Sequence, residues 1–327
     1  MLRGFGIIPL FGGFIFFIGS IMQLMAMVIA VKTAVGYTSV GRATGVVLIG
    51  AVPYVIIYAI VFAILTLESH RGGSVEHQIV SLHAGYDYKG HTVDGYIARP
   101  SDPGTHPPLI VISGMSGLNA FQREMTRVFA RAGFVSLSPD LFDGYSAPDH
   151  ASALLAKNSL DIDQTINRLS AGAEWLRKLP WVDDKAKVGV VGFCLGGGLA
   201  LYCMGRSGAF AAGGIYYQSM FPDPAELAGI TGKLQCHYGT ADKSTPAEEI
   251  ERFRTEIDLL GIKNEVHFYE GMGHGFLHPR QEAGSNREQA AALSLERTFA
   301  FFHEELSATP AQVKEPSAAS SAPAKSK

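Results

Sequence analysis

Residues 188–204 read Val-Gly-Val-Val-Gly-Phe-Cys-Leu-Gly-Gly-Gly-Leu-Ala-Leu-Tyr-Cys-Met, and this stretch leaves the chain few ways to fold. The apolar run Val188 to Val191 has the length and content of a strand buried on both faces of a sheet. Gly192-x-Cys194-x-Gly196 follows at once, and a helix-like segment begins by Leu199. Glycines on either side of one residue, between a strand and a helix, mark a sharp turn whose backbone crowds both elements. Cys194 occupies the apex of that turn, where a side chain is held up and exposed at the carboxyl end of a central strand. The apex residue is a thiol, which becomes nucleophilic only when ionised.

The rest of the middle of the chain agrees with a layered α/β domain. Alternating apolar and polar residues from His77 to His83, a Tyr-Lys-Gly turn and the segment Gly95 to Pro100 predict an opening hairpin. Leu109 to Ser113, Phe134 to Ser138, Gly214 to Tyr217, Leu234 to Tyr238 and Glu265 to Tyr269 read as further strands. Helices are predicted over Asn119 to Ala132, as one long region from Ala151 to Leu179, over Pro246 to Leu260 and over Asn286 to Leu306. Strands alternating with helices indicate a mostly parallel sheet covered by helices on both faces.

A cysteine nucleophile needs a base, and the base needs a group that fixes its tautomer. Tyr238-Gly-Thr-Ala-Asp242 supplies an acid just beyond one predicted strand, and Gly271-Met-Gly-His274 supplies an imidazole just beyond the next. Each residue alone has a plainer reading: Cys194 as a buried packing residue, Asp242 as a turn or helix-capping aspartate, His274 as one of eleven histidines. The order nucleophile, acid, histidine, each at a carboxyl strand end, favours a catalytic set. Cys194, Cys203 and Cys236 form no CxxC pair and no zinc spacing, and no phosphate-binding loop occurs, so neither metal nor cofactor is expected.

From about residue 78 to 306 the chain resembles the dienelactone hydrolase family of the α/β hydrolases. The resemblance is carried by Gly192-Phe-Cys-Leu-Gly-Gly197, Ser138-Pro-Asp-Leu141, Gly239-Thr-Ala-Asp242, Gly273-His-Gly-Phe276 and Gly117-Leu-Asn119. It implies a Cys-His-Asp triad with Cys194 as nucleophile, His274 as base and Asp242 as orienting acid. It also implies cleavage of an ester or lactone through an acyl-cysteine, the oxyanion held by the backbone N–H groups of Leu195 and Met115. Two positions depart from the family pattern. Gly114 stands where the family carries a glutamate that helps form the thiolate, the next acid being Glu124, and the arginines that hold a substrate carboxylate have no match, Arg280 lying two residues late. The family's own lactone is therefore not the expected substrate.

The resemblance stops short of the amino-terminal segment. Gly4 to Val31 is a run of 28 residues without a charge, and Ala43 to Leu67 a second run of 25. A bilayer core is crossed by about 20 apolar residues, so both runs are long enough to span. The expected organisation is a two-helix membrane hairpin over 1–67, a hydrolase domain over 68–306 and a disordered Ala/Pro/Ser/Lys tail over 307–327. A cleaved signal peptide is the plainer reading of the first run, against which stand its length and the second run close behind it. Basic residues flank the spans evenly, Lys32 and Arg42 against Arg3 and Arg71, so charge does not orient the hairpin. Three unframed cysteines favour the cytoplasmic side of a multi-pass cell-membrane protein. Residues 68–327 hold 24 basic and 30 acidic residues with no basic run, which excludes nucleic acid as an expected partner. The expected partners are the bilayer and a small ester or lactone. The alternatives are a carboxylesterase or thioesterase acting on membrane-derived acyl groups, and a non-catalytic tethered binding module.

Overall fold

The computed structural model describes residues 76–183, 185–279 and 286–306, together with Ile29 and Thr33. The chain divides into two compact units, Met1–Gly73 and Ser74–Lys327. In the first, the Thr33 hydroxyl donates to the Ile29 carbonyl at 2.8 Å, a bond across one helical turn. Otherwise the predicted spans, like the 307–327 tail and Arg280, lie outside the described residues. Among the described residues no helix is long and apolar enough to cross a membrane.

The second unit opens with the expected hairpin, β1 (Ile79–Tyr88) and β2 (His91–Pro100). Its two-residue turn, Lys89 at φ 53° and Gly90 at φ 80°, is left-handed at both positions, the twist that antiparallel neighbours require. There follow β3 (Pro108–Ile112), α1 (Ala120–Arg131), β4 (Val135–Pro139), α2 (His150–Asn158), α3 (Ile162–Leu176), β5 (Val188–Phe193) and α4 (Leu195–Arg206). Then come β6 (Phe210–Tyr216), the short α5 (Pro224–Leu227), β7 (Lys233–Gly239), α6 (Ala247–Leu259), β8 (Asn264–Tyr269) and α7 (Arg287–Leu306). The sheet order is β1-β2-β4-β3-β5-β6-β7-β8, parallel from β4 to β8, with β2 running antiparallel to both β1 and β4.

The central strands are apolar throughout because both faces are covered. In β3, Leu109 and Val111 join the core beneath α1 and α7 with Phe129, Phe134 and Phe302, while Ile110 and Ile112 join the opposite core with Leu169, Leu199 and Phe253. In β5, Val190 and Val191 divide in the same way. The helix after β5 is itself nearly all buried, which suits its run of glycine and aliphatic residues.

The long helical region expected over 151–179 is two helices. Asp161 ends the first by starting the second: its carboxylate accepts from the Gln164 N–H at 2.9 Å and caps α3. Ser159 closes α2 with its hydroxyl on the Ala156 carbonyl at 2.8 Å. An aspartate that caps a new helix outcompetes continuation of the old one, and apolar spacing alone does not register it.

Candidate active site

Cys194 sits between β5 and α4 with φ 55° and ψ −113°, a left-handed conformation rare for a residue with a side chain. Its N–H donates to the Tyr216 carbonyl at 3.0 Å and its own carbonyl accepts from Gly197 and Ser219 at 3.1 and 3.2 Å, so the strained turn is pinned on three sides. The flanking glycines are needed for space. A Cβ on Gly192 would stand 1.9 Å from the Gly196 carbonyl oxygen, and one on Gly196 would stand 2.5 Å from that of Ile112. The helix that begins at Leu195 has no side-chain cap, and the Leu195 N–H points instead at the Cys194 sulfur. An uncapped helix start aimed at a sulfur favours negative charge there.

Asp242 and His274 come to the same place from the carboxyl ends of β7 and β8. Their loops pack closely because Gly239 leaves room, a Cβ there falling 2.0 Å from the Met272 carbonyl oxygen. The Asp242 carboxylate is fully buried. One oxygen accepts from the Ser244 and Thr245 N–H groups at 2.7 and 3.1 Å, and the other faces His274 Nδ1 at 2.9 Å. The imidazole also interacts with the Cys194 thiol. All three residues expected from the sequence therefore form one connected line, Asp242–His274–Cys194.

This contact sets the charges. Burial pushes the Cys194 thiol up, but the hydrogen bond and charge of His274 outweigh it, aided by Ser219 and Leu195, and the thiol lies below its ordinary value. Burial pushes His274 down, and Asp242 and Cys194 together reverse this and raise it to about 10. The two shifts run in the direction of a thiolate–imidazolium pair.

The loop after β3 reaches the site as well. A Cβ on Gly114 would stand 3.7 Å from that of Cys194, so the position where the resemblance asks for a glutamate adjoins Cys194 and carries no acid. Glu124 does not take its place, being paired with Arg127 at 2.6 Å and with Arg131. Met115 lies in the turn closed by the Gly117 N–H on the Gly114 carbonyl at 3.1 Å. Met115, Phe142, Met220 and Phe221 are half-buried, pack on the core and give this end of the sheet an apolar rim. A cleft of about 590 Å³ shares Phe142 with this rim and is lined by Tyr145, Leu155, Ser159, Asp161 and Arg168 among others, but by none of Cys194, Asp242 and His274. Among the described residues no cluster of His, Cys, Asp or Glu fits a metal ion.

Two neighbours of the triad were not singled out in the sequence. Tyr217, with φ 35°, sets its ring edge-on to that of His274 at 5.2 Å, and Ser219 places its hydroxyl 3.7 Å from the Cys194 sulfur. Their one signal is position, since both follow the carboxyl end of β6, where such sheets build their sites.

Comparison with known proteins bears on the fold and the family. The model of the dienelactone hydrolase family matches residues 93–306. A putative carboxymethylenebutenolidase of Synechocystis is 27% identical over 217 residues, which cover 61% of this chain and 87% of the relative. The carboxymethylenebutenolidase of Pseudomonas putida is 26% identical over 238 residues, covering 70% and 96%. In fold the chain is similar to a putative dienelactone hydrolase from Klebsiella pneumoniae, with a TM-score of 0.65 at 19% identity over 70% of this chain and 100% of that one. An α/β-hydrolase sheet and a family match over the whole sheet-and-helix unit from β2 onward lead to one conclusion: the chain belongs to the dienelactone hydrolase family and is a hydrolase.

Proposed function

We propose that this chain is a membrane-anchored carboxylic ester hydrolase that cleaves an ester or lactone through an acyl-cysteine, with Cys194 as nucleophile, His274 as acid and base, and Asp242 as orienter. The line Asp242–His274–Cys194 carries the reading. The Cys194 thiolate attacks the acyl carbon, and the oxyanion is held by the Leu195 and Met115 N–H groups, each worth about 3 kcal/mol of barrier. The C–O bond then breaks and the leaving oxygen takes the His274 proton. Neutral His274 next removes a proton from water, whose attack on the thioester releases the acid and restores the thiolate–imidazolium pair. Asp242, buried and doubly bound by backbone N–H groups, holds the imidazole in the tautomer that each step needs.

Relatives named carboxymethylenebutenolidase support lactones among the substrates to be tried. The bare Gly114 and the apolar rim support a substrate that need not carry a carboxylate. Membrane attachment rests on the two uncharged runs within residues 1–67. The test is a screen of the full-length protein in detergent across lactones, aryl esters and acyl thioesters, beside Cys194→Ala. At least one class should be hydrolysed, and the variant should lose about 10³-fold or more in kcat. Equal rates in parent and variant would remove Cys194 from the chemistry.

A further inference from the structure

The Cys194 sulfur has a neighbour outside the triad, the Ser219 hydroxyl at 3.7 Å: as a thiol the sulfur donates to that oxygen, and as a thiolate it can only accept from it. The backbone that carries this hydroxyl is held by the surrounding fold. The Ser219 N–H donates to the Cys194 carbonyl at 3.2 Å, so the two residues are tied through their backbones as well. One residue earlier, the Gln218 carbonyl accepts from the Thr245 hydroxyl at 3.1 Å, and before it the Tyr217 N–H donates to the His237 carbonyl at 2.9 Å. The left-handed Tyr217 turns the chain out of β6 toward the elbow.

The two glycines after the elbow let this segment come close. A Cβ on Gly197 would stand 3.0 Å from the Gln218 Cβ, and one on Gly198 would stand 2.7 Å from that of Met220. Larger residues there would lift the segment off the first turn of α4 and take Ser219 away from the sulfur. Opposite it, Gly114 adjoins the nucleophile without an acid.

We propose that the Ser219 hydroxyl is a standing donor to the Cys194 thiolate, which with the Leu195 N–H and His274 keeps the sulfur ionised before any substrate arrives. This rests on the hydrolase reading for its use but not for its test. The thiol proton resides on His274, and Ser219 transfers none; its O–H points at the anionic sulfur. When the acyl group is attached the sulfur becomes a neutral thioester, a weak acceptor, and the Ser219 bond loosens. Because all these donors belong to the fold, the thiolate does not wait for a ligand.

The experiment is the rate of alkylation of the full-length protein by iodoacetamide as a function of pH, without substrate, with the adduct located by mass spectrometry. Cys203 and Cys236 are fully buried and do not compete. The parent should react at neutral pH, Ser219→Ala should move the midpoint up by about one pH unit, and Ser219→Thr should restore it. Ser219→Gly, which removes the same hydroxyl, should move with the alanine variant, and thermal melting of each variant separates the effect from unfolding. An unchanged or lower midpoint in folded Ser219→Ala would overturn the proposal, since it would mean that the hydroxyl is neutral toward the thiolate or favours the thiol. Hydrolysis plays no part in this readout, so a failure of the substrate screen and a failure here are distinct results.

Discussion

At the scale of the residue, Cys194 holds a left-handed backbone, a partly buried sulfur and a contact with His274 at once. The first was legible from its two glycines, and the identity of the partners from their order along the chain. The charge state was not, because it depends on atoms brought together from three loops. The proposed thiolate–imidazolium pair has a sign that can be checked in the pH profile of kcat/KM. Lowering the pH protonates the thiolate, so activity falls on an acid limb below the ordinary thiol value. Raising the pH through about 10 removes the His274 proton, so activity falls again as the leaving group loses its acid. His274→Ala should move the acid limb upward and lower kcat about 10³-fold. A parent profile that begins to rise only near the ordinary thiol value would argue against the ion pair.

At the scale of the element, the elbow works because glycine permits three close approaches: β5 to α4 at Gly192, β3 to α4 at Gly196, and the β6 loop to α4 at Gly197 and Gly198. The sequence pattern announced the turn but not what each glycine faces. Gly196→Ala places a methyl group 2.5 Å from one backbone carbonyl oxygen and 2.6 Å from the next. Backbone cannot yield as a side-chain end does, so unfolding in urea should show a loss of about 3 kcal/mol, together with loss of activity. A variant as stable as the parent would mean that the elbow can open. Strand existence was legible from apolar runs buried on both faces, whereas β6 runs four residues further back than expected, since Phe210 to Gly213 is rich in small residues that carry little strand signal. The division between α2 and α3 was missed for a related reason: a cap is one side chain's choice between two backbone partners.

At the scale of the whole molecule, one mostly parallel sheet carries Cys194, Asp242 and His274 at the carboxyl ends of β5, β7 and β8, and the loop after β3 comes up beside Cys194. The amino-terminal runs predict a different behaviour for the full chain. It should sediment with membranes, withstand alkaline carbonate washing and be released by detergent. Recovery in the carbonate-soluble fraction would sink the membrane proposal. Local chemistry determined much about this protein: the turn at Cys194, the strand and helix alternation, the long uncharged runs and the order of Cys194, Asp242 and His274 are all written in neighbouring side chains. Only the tertiary structure decided that Asp242 is sealed from water, that Glu124 is paired elsewhere, that Gly114 lies against Cys194 and that Ser219 stands beside the sulfur. These are distances between residues far apart along the chain, set by how closely backbones can pack where glycine removes a side chain.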